Sequence, residues 1–356
     1  VRHPALIIIL SLLCLANNAK AQQGIFRELA LKGDSCMKIH DTFHAMQFYI
    51  AGVEADSTDI GIRRKLASCY RKVGDNRACV NCLDRMPKDS VSHDDMRMFY
   101  YSYLSLGNSA KAATWGERIT ERYPYDSDVT ASLASLYNST NKPERAEITT
   151  KNYITQCDST NIFVNSEYAY SLFLQLKYDE AIPQYEKIIA NGNDDYKSNF
   201  VLGMCYDGSN DTAKARKHLA KAASLKDDSS YCLYRLALTE EALMMDSLAA
   251  EHFNRSLETA MPQSRAFRTY AKLASVYFAL HKYAEAARAF ELAIAYDSDD
   301  KALNYYNAAQ MFIADGNTIK ADLYLRLFIE KANKPNNDEY TKELIETARK
   351  QLGRKQ

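Results

Sequence analysis

The sequence predicts an all-α fold made of stacked helical hairpins, and three observations predict it. Alanine recurs at a nearly constant spacing of about 34 residues. Residues 194–225 show the packing pattern of two helices joined by a turn. Glycine and proline are scarce, with 12 and 7 in 356 residues, and no alternating strand pattern recurs. We therefore expect helices over most of the chain.

The clearest hairpin pattern begins with Leu202-Gly203, continues with Tyr206 one turn later, and ends with Ala215 and Leu219. A small residue on the first helix lets a small residue of the second helix approach closely, and the large neighbours fill the remaining space. This spacing of small and large residues therefore predicts a pair of packed antiparallel helices.

The second-helix alanine of this pattern recurs along the whole chain. The steps between successive positions are 33, 34, 34, 35, 34, 34, 37 and 35. An ordinary globular core needs no fixed spacing, so the period predicts about nine repeated hairpins. The recurring alanines are Ala45, Ala78, Ala112, Ala146, Ala181, Ala215, Ala249, Ala286 and Ala321.

This pattern resembles the tetratricopeptide repeat, which has Trp-x₂-Leu-Gly-x₂-Tyr, then Ala-x₃-Phe, then Pro. The resemblance covers about residues 24–330 and is close in Leu273-Ala274, Tyr277, Ala286 and Phe290. It implies a right-handed α-solenoid of about nine hairpins over residues 22–332. The expected final element is a capping helix and tail over residues 333–356.

The first 21 residues have the features of a secretion signal. Ala5 to Ala16 is an apolar run, and Ala19-Lys20-Ala21 is an Ala-x-Ala cleavage site. The run is too short to span a bilayer, which takes about 20 residues. We expect cleavage after Ala21 and export to a bacterial periplasm or envelope. A retained anchor and lipidation at Cys14 are the alternatives.

The predicted hairpins follow in order. The first occupies residues 24–57, the second 60–86 and the third 93–124. In the third, Tyr100 and Gly116 exchange the usual small and large positions, which a volume-conserving swap explains. The fourth covers residues 127–157, and the next three begin near residues 162, 196 and 230. Residues 260–264 lengthen the connection before the eighth, at 267–298; the ninth begins near residue 301, and one helix follows at 339–352.

The charge balance predicts no affinity for nucleic acid. Lysine plus arginine equals aspartate plus glutamate, at 45 each, so the chain has no global field that attracts polyanions. One local basic stretch is predicted to be a solvated face, with an anionic partner as the alternative. It contains Arg63, Arg64, Lys65, Arg71, Lys72 and Arg77.

The cysteines and histidines allow a second class of function. Cys79 and Cys82 share a helix face, and Cys69 lies on the partner helix, so these three are candidates for a disulfide. Small packed residues are the other interpretation. His40 and His44 share a helix side but lack a carboxylate at helical spacing. No GxSxG, HExxH, Walker or GxGxxG motif occurs, so we expect no catalytic residues, no metal and no cofactor.

Aspartates followed by serine or threonine recur in predicted turns, such as Asp56-Ser57-Thr58 and Asp158-Ser159-Thr160. Helix capping and turn closure explain these side chains. They also resemble acceptor sites for O-glycosylation in exported bacterial proteins, which is the alternative.

The family resemblance implies that first helices line a concave groove that binds the partner. Aromatic side chains there suit an apolar peptide, because they give a large contact area at low entropic cost. The residues that we place on this face are Tyr101, Phe163, Tyr170, Phe173, Phe200, Met204, Tyr231, Tyr234, Leu238, Phe278, Tyr305, Tyr306 and Phe312. Some of them are expected to belong to the core between hairpins.

These observations predict a non-enzymatic scaffold that binds a protein or peptide in the cell envelope. An accessory adaptor for an outer-membrane or envelope assembly machine, associated with a membrane complex, is the first alternative. A metal or redox protein that uses the Cys/His-bearing first hairpins is the second, and a structural oligomer is the third. The partner and the oligomeric state do not follow from the sequence.

Overall fold

The computed structural model describes residues 24–259, 263–332 and 338–353, and all their regular elements are helices. The predicted all-α repeat fold is therefore confirmed. The predicted leader, residues 1–21, lies outside the described residues. The chain divides into two compact units, the first ending at Ser171 and the second beginning at Leu172. In the described part of the chain, no helix combines the length and the apolar character needed to cross a bilayer.

Unit 1 contains four consecutive hairpins and most of a ninth helix. Helix α1 covers residues 24–38. The others are α2 (Thr42–Ala55), α3 (Ile60–Lys72), α4 (Asn76–Leu83), α5 (His93–Ser105), α6 (Ser109–Arg122), α7 (Ser127–Ser139), α8 (Pro143–Gln156) and α9 (Ile162–Leu174), whose last turn belongs to unit 2.

Unit 2 continues with the same alternation of first and second helices. Its helices are α10 (Tyr178–Ala190), α11 (Tyr196–Gly208), α12 (Thr212–Leu225), α13 (Ser230–Ala242), α14 (Asp246–Glu258), α15 (Gln263–Ala279), α16 (Tyr283–Ala295), α17 (Ala302–Ala314), α18 (Thr318–Ala332) and α19 (Glu339–Gly353). Helices α11 and α12, α13 and α14, α15 and α16, and α17 and α18 form hairpins.

A left-handed residue lies between the first and second helix of every pair. Only three of these nine residues are glycine, the residue that adopts positive φ at no steric cost. The others include Leu176 with φ 60° and Met244 with φ 59°, whose side chains are exposed. The full set is His40, Gly74, Gly107, Asn141, Leu176, Asn210, Met244, His281 and Gly316.

The helix N-cap determines which residue becomes the small core residue of each second helix. Asp41 caps α2, and Ala45, four residues later, is fully buried; Asp211 and Ala215 repeat this in α12. In α4 the cap is Asp75, so the equivalent residue is Cys79, which is fully buried. Our assignment of Ala78 to this place was wrong by one residue, and Ala78 is only half-buried.

Close packing within hairpins pairs one small residue with one large residue, as predicted. A Cβ added to Gly203 would lie 2.8 Å from the Leu219 side chain. The third hairpin reverses this order, because Gly116 of α6 faces the buried ring of Tyr100 in α5. A Cβ on Gly116 would lie 3.0 Å from that ring. The predicted exchange of small and large residues at this point is confirmed.

Helix α4 is much shorter than the other second helices of unit 1. It has 8 residues, whereas α2, α6 and α8 have 14 each. Pro87 prevents α4 from reaching the length of the other second helices, since the residue before a proline is disfavoured in helical conformation. A 3₁₀ turn, Lys88–Ser90, follows in place of the missing helical turns. An irregular segment between α4 and α5 therefore takes the place that the last turns of a longer α4 would occupy.

The last helix, α19, packs on α18 and buries Ile345 and Ala348. Its opposite faces are polar and exposed. Residues 333–337 and 354–356 of the predicted cap and tail lie outside the described residues.

Candidate binding surface

Three aromatic residues form a continuous row on the first helices of unit 2. Tyr196 and Phe200 are one turn apart on α11, and their rings stack at a centroid distance of 5.7 Å. Tyr231 of α13 lies 5.8 Å from Phe200. The Tyr196 hydroxyl is 2.9 Å from the hydroxyl oxygen of Ser229, the N-cap of α13. We call Tyr196, Phe200 and Tyr231 the aromatic row.

The aromatic row has one packed side and one accessible side. Tyr196 and Phe200 pack on a core cluster that includes Leu219 and Leu233, yet both remain half-buried. Tyr231 is 38% exposed. Rings held in this way lose little further rotamer freedom when a ligand covers them.

Two cations lie over the rings at the ends of the row. The Lys226 Nζ atom is 5.6 Å from the centroid of Tyr196, and the Arg265 Cζ atom is 4.5 Å from that of Tyr231. Among the described residues of unit 2, neither cation forms an ion pair. Asp227 and Asp228 follow Lys226 directly and are exposed. The charges at this end of the row can therefore orient a polar group of a partner.

A second apolar patch continues along the same helices. Met204 lies one turn after Phe200 on α11, and Tyr234 and Leu238 lie one turn apart on α13. All three are half-buried, and the Tyr234 ring lies 5.9 Å from that of Phe253 in the core. Together with the aromatic row, these side chains give unit 2 an apolar first-helix face.

Several charged residues of the first helices neutralise one another between neighbouring hairpins. Arg235 of α13 pairs with Asp207 of α11. Lys272 of α15 lies 3.0 Å from Glu241 of α13. Such exposed pairs contribute little stability. Because these charges are paired with each other, the aromatic and aliphatic side chains are the main part of the face that a partner can contact.

In unit 1 the corresponding face is mixed polar and aromatic. Tyr101 is half-buried, its ring lies 4.9 Å from that of Tyr100, and Arg97 lies 5.7 Å above it. Burial raises the pKa of the Tyr101 hydroxyl. Arg97 is itself held by Asp126 at 2.6 Å and by Asp128 at 3.1 Å.

The structure assigns the remaining predicted groove residues to different environments. Phe163 is 73% exposed and Phe278 is 41% exposed, whereas Tyr170, Phe173, Tyr305 and Tyr306 are half-buried. Phe312 is a correction, since it is only 3% exposed. Its ring stacks on that of Tyr324 at 5.3 Å, so it fills the core between α17 and α18.

The local basic stretch is largely structural. Arg63 is buried and donates to the Ser57 carbonyl. Arg64 makes a bidentate contact with the buried carboxylate of Asp95, at 2.7 to 2.9 Å, and Lys65 pairs with Asp34 at 2.7 Å. Arg71, Lys72 and Arg77 remain available, which halves the cations that an anionic partner could use.

The candidate disulfide among Cys69, Cys79 and Cys82 is not formed in the structure, which has all three as buried free thiols. Two of the thiols contact neighbours other than a cysteine. Cys69 lies 3.8 Å from the Met37 sulfur, and Cys82 donates to the Arg63 carbonyl at 3.4 Å. Burial raises the pKa of all three thiols, which opposes the thiolate form that redox chemistry requires.

The histidines and turn aspartates have local roles. His44 Nδ1 lies 2.7 Å from Asp41, the N-cap of α2, and His40 lies in the turn before it. Asp56 and Asp158 accept bonds from Thr58 and Thr160, which closes their turns. Among the residues that the structure describes, no three histidine, cysteine or acidic side chains are placed to hold a metal ion.

Sequence reasoning missed Tyr196, Lys226 and Arg265. Tyr196 is four residues before Phe200, and this helical spacing was a usable signal. No such signal marks the two cations in the sequence, because Lys226 lies in the loop before α13 and Arg265 lies on α15 of the next hairpin.

Two segments of the chain match family models of the tetratricopeptide repeat, at residues 169–230 and 267–300. No curated protein sequence matches the chain.

Solved structures of similar fold share few identical residues with the chain. A tetratricopeptide repeat protein from Parabacteroides merdae is 16% identical, over 72% of this chain and 98% of that one, with a TM-score of 0.46. YrrB, described as a TPR protein with an unusual peptide-binding site, is 19% identical over 53% and 95%, with a TM-score of 0.47. MamA from Desulfovibrio magneticus is 18% identical over 47% and 93%, with a TM-score of 0.44.

Proposed function

The chain is a tetratricopeptide repeat protein, and from this premise we propose that it is a non-enzymatic scaffold that binds a protein or peptide partner. The observation that carries the proposal is the apolar first-helix face of unit 2. There the aromatic row and the patch of Met204, Tyr234 and Leu238 remain partly accessible, while neighbouring charges pair among themselves.

The chemistry of this face favours a peptide with large apolar side chains. Tyrosine and phenylalanine dominate binding energy in interfaces because they bury a large area with few rotatable bonds. Lys226 and Arg265 lie over the ends of the aromatic row, where they can contact a carboxylate next to the apolar segment. The preferred ligand is therefore an aromatic or aliphatic segment flanked by an acidic residue.

Selection of peptides from a random display library on the immobilised full chain tests this proposal. We expect enrichment of apolar sequences with a flanking acid. Phe200→Ala combined with Tyr231→Ala should weaken the selected peptides by tenfold or more, as truncation of two central aromatic contacts does. The measurement is fluorescence anisotropy of labelled peptides.

The matched control is Leu292→Ala combined with Leu323→Ala, which removes two exposed side chains from the second helices α16 and α18. It should leave the affinity unchanged. Equal binding to wild type and to the aromatic double variant, with helicity intact in both, would contradict a role for this face.

We further propose that the chain acts in the cell envelope. The support is the apolar run from Ala5 to Ala16 and the Ala19-Lys20-Ala21 site, which lie outside the described residues. Mass spectrometry of the protein from its native host should find a mature chain that begins at Gln22. In the same cells, crosslinking separates a soluble peptide partner from a membrane-bound assembly machine. A chain that retains residues 1–21 in the cytoplasm would contradict export.

A further inference from the structure

Unit 1 contains a partly open cavity, with apolar walls and a charged rim, that the proposed peptide-binding face does not use. Its volume is about 230 Å³, and it lies where α4 ends early, between α4, α5 and α6. The apolar walls are Leu83, Met86, Val91, Met96, Phe99 and Trp115. The rim carries Asp84, Lys88 and Arg118.

A flat stack of side chains forms one wall of this cavity. The rings of Phe99 and Trp115 are parallel, with a centroid distance of 4.2 Å and an angle of 3°. The Arg118 guanidinium carbon lies 4.9 Å from the Trp115 ring. Phe99 is buried, whereas Trp115 is half-buried, so part of the indole is available to a ligand.

The segment that closes the opposite side is held in place by hydrogen bonds. Arg64 donates to the Ser90 carbonyl at 3.0 Å, and the Ser90 hydroxyl donates to the Pro87 carbonyl at 2.6 Å. Asp95, which Arg64 also holds, accepts from the backbone N–H of Ser92 at 2.8 Å. The cavity is thus preformed, and a ligand does not have to order this segment on entry.

The volume accommodates about one ring with a short substituent, and the open side lets the polar end of such a ligand reach the rim. An apolar cavity of about 150 Å³ holds one benzene molecule, so 230 Å³ leaves room for a few more atoms. The rim favours an anion, since Lys88 and Arg118 are exposed and form no ion pair among the described residues, against one carboxylate at Asp84. A bond between a guanidinium and a carboxylate is among the stronger hydrogen bonds.

We propose that this cavity binds a small aromatic carboxylic acid, with its ring against the accessible part of Trp115 that Phe99 and Arg118 leave uncovered and its carboxylate between Lys88 and Arg118. The site is independent of the first-helix face, and its ligand is a free small molecule. The walls come only from residues 83–118, so the site is complete within unit 1.

Trp115 is the only tryptophan in the chain, which gives the test a single reporter. Full-length protein labelled with 5-fluorotryptophan should show one ¹⁹F resonance. Titration with 3-phenylpropionate should shift it saturably at up to millimolar concentration. The neutral analogue 3-phenyl-1-propanol should bind about tenfold more weakly, which is the contribution of one charged hydrogen bond.

Two sets of variants separate cavity binding from surface binding. Val91→Phe fills the cavity and should abolish the shift, while Val73→Phe, at an exposed position in the turn after α3, should leave it unchanged. Lys88→Gln combined with Arg118→Gln should make the acid and the alcohol bind equally. Circular dichroism checks that each variant keeps its helical content.

Three results would overturn the inference. One is the absence of any saturable shift with 3-phenylpropionate, and another is a shift that survives Val91→Phe. The third is a shift with a tetrapeptide ending in phenylalanine but none with the free acid, which would make the cavity an anchor for a protein partner. None of these results bears on the aromatic row of unit 2, because the two sites share no residue.

Discussion

At the scale of single residues, the left-handed turn positions determine where each hairpin reverses. Met244 adopts φ 59° with 85% of its surface exposed, so its side chain adds strain and almost no packing. An L-residue in this conformation costs about 1 kcal/mol or more, and glycine avoids that cost. Six of the nine turns accept the strain because the flanking helices fix the conformation.

Met244→Gly should therefore raise the free energy of unfolding by about 0.5 to 1 kcal/mol. Urea denaturation followed by circular dichroism measures the change. Gly316→Met introduces the opposite change at φ 77°, where no neighbouring atom crowds a new Cβ, and should be destabilising by a similar amount. A less stable Met244→Gly variant would show that the methionine contributes packing that outweighs its strain.

Asp95 of the third hairpin is a buried carboxylate that accepts hydrogen bonds from Arg64 of the second hairpin. Burial alone would raise the pKa of this carboxyl, but the bonds from Arg64 and Ser92 outweigh it and lower the pKa. A group with a lowered folded-state pKa stabilises the fold above its unfolded pKa, about 3.9. This contribution is lost as the pH falls through the folded-state value.

Asp95→Asn should destabilise the protein by about 2 to 3 kcal/mol at pH 7, because Arg64 loses its carboxylate. The difference from wild type should stay constant down to about pH 5 and shrink below pH 4. Urea unfolding midpoints of wild type and Asp95→Asn, measured from pH 7 to below pH 4, give this difference in stability. A difference that does not change with pH would mean that the amide disturbs packing and that the ion pair contributes nothing.

At the scale of helices, the third hairpin keeps the combined side-chain volume of the packed pair but exchanges which helix carries the large residue and which the small one. Tyr100 in α5 fills the place where other first helices have a small residue, and Gly116 in α6 makes room for it. The Tyr100 hydroxyl also donates to the Ser132 hydroxyl oxygen at 2.9 Å, which ties the exchange to the next hairpin.

A double-mutant cycle on this pair measures the exchange. Tyr100→Ala should cost about 3 to 5 kcal/mol by leaving a cavity, and Gly116→Leu about 1 to 3 kcal/mol or more by overpacking. The double variant restores the usual order of small and large residues. Its loss should be smaller than the sum of the two single losses by at least about 1 kcal/mol. Simple additivity would contradict the exchange.

Much of the repeat could be predicted from sequence because its determinants are local. A pair such as Gly203 and Leu219 comes from one hairpin, so its spacing is visible directly. The error at Ala78 arose because two small residues, Ala78 and Cys79, are adjacent, and only the cap at Asp75 distinguishes them. Phe312 was misplaced because an aromatic side chain on a first helix suits either the accessible face or the core, and the residue type does not distinguish the two.

The charged contacts could not be predicted from the sequence in the same way. Arg64 reaches Asp95, and Lys65 reaches Asp34, each 31 residues away. Asp34, Asp94 and Asp95 all lie 29 to 31 residues from both Arg64 and Lys65, so the sequence spacing does not select the pair. The cavity beside Trp115 also went unseen, although Pro87 was a readable signal for the short α4.

At the scale of the whole molecule, the two ends of a repeat array need protection from self-association. Helix α19 covers α18 with Ile345 and Ala348, and the Gln351 and Gln310 amides bond to each other at 3.2 Å. Its removal would expose the apolar surface of α17 and α18. The exposed face would resemble the surfaces between hairpins, which pack against another helix.

A chain that ends after residue 337 should therefore form oligomers at concentrations where the full chain does not. Size-exclusion chromatography with light scattering measures the mass. The matched control ends after residue 353, which keeps α19 complete, and it should behave like the full chain. A shortened chain with the same mass distribution as the control would show that α19 has no capping role.

The seven described cysteines can report where and how often the fold opens locally. All are free, and five of them are buried. Burial raises the pKa of Cys205 and Cys232 to about 12, so a thiol-alkylating reagent reaches a reactive thiolate there only after the surrounding helices separate. Alkylation rates, read by mass spectrometry for each cysteine, would therefore rank the hairpins by how often they open. No label would have to be introduced for this experiment.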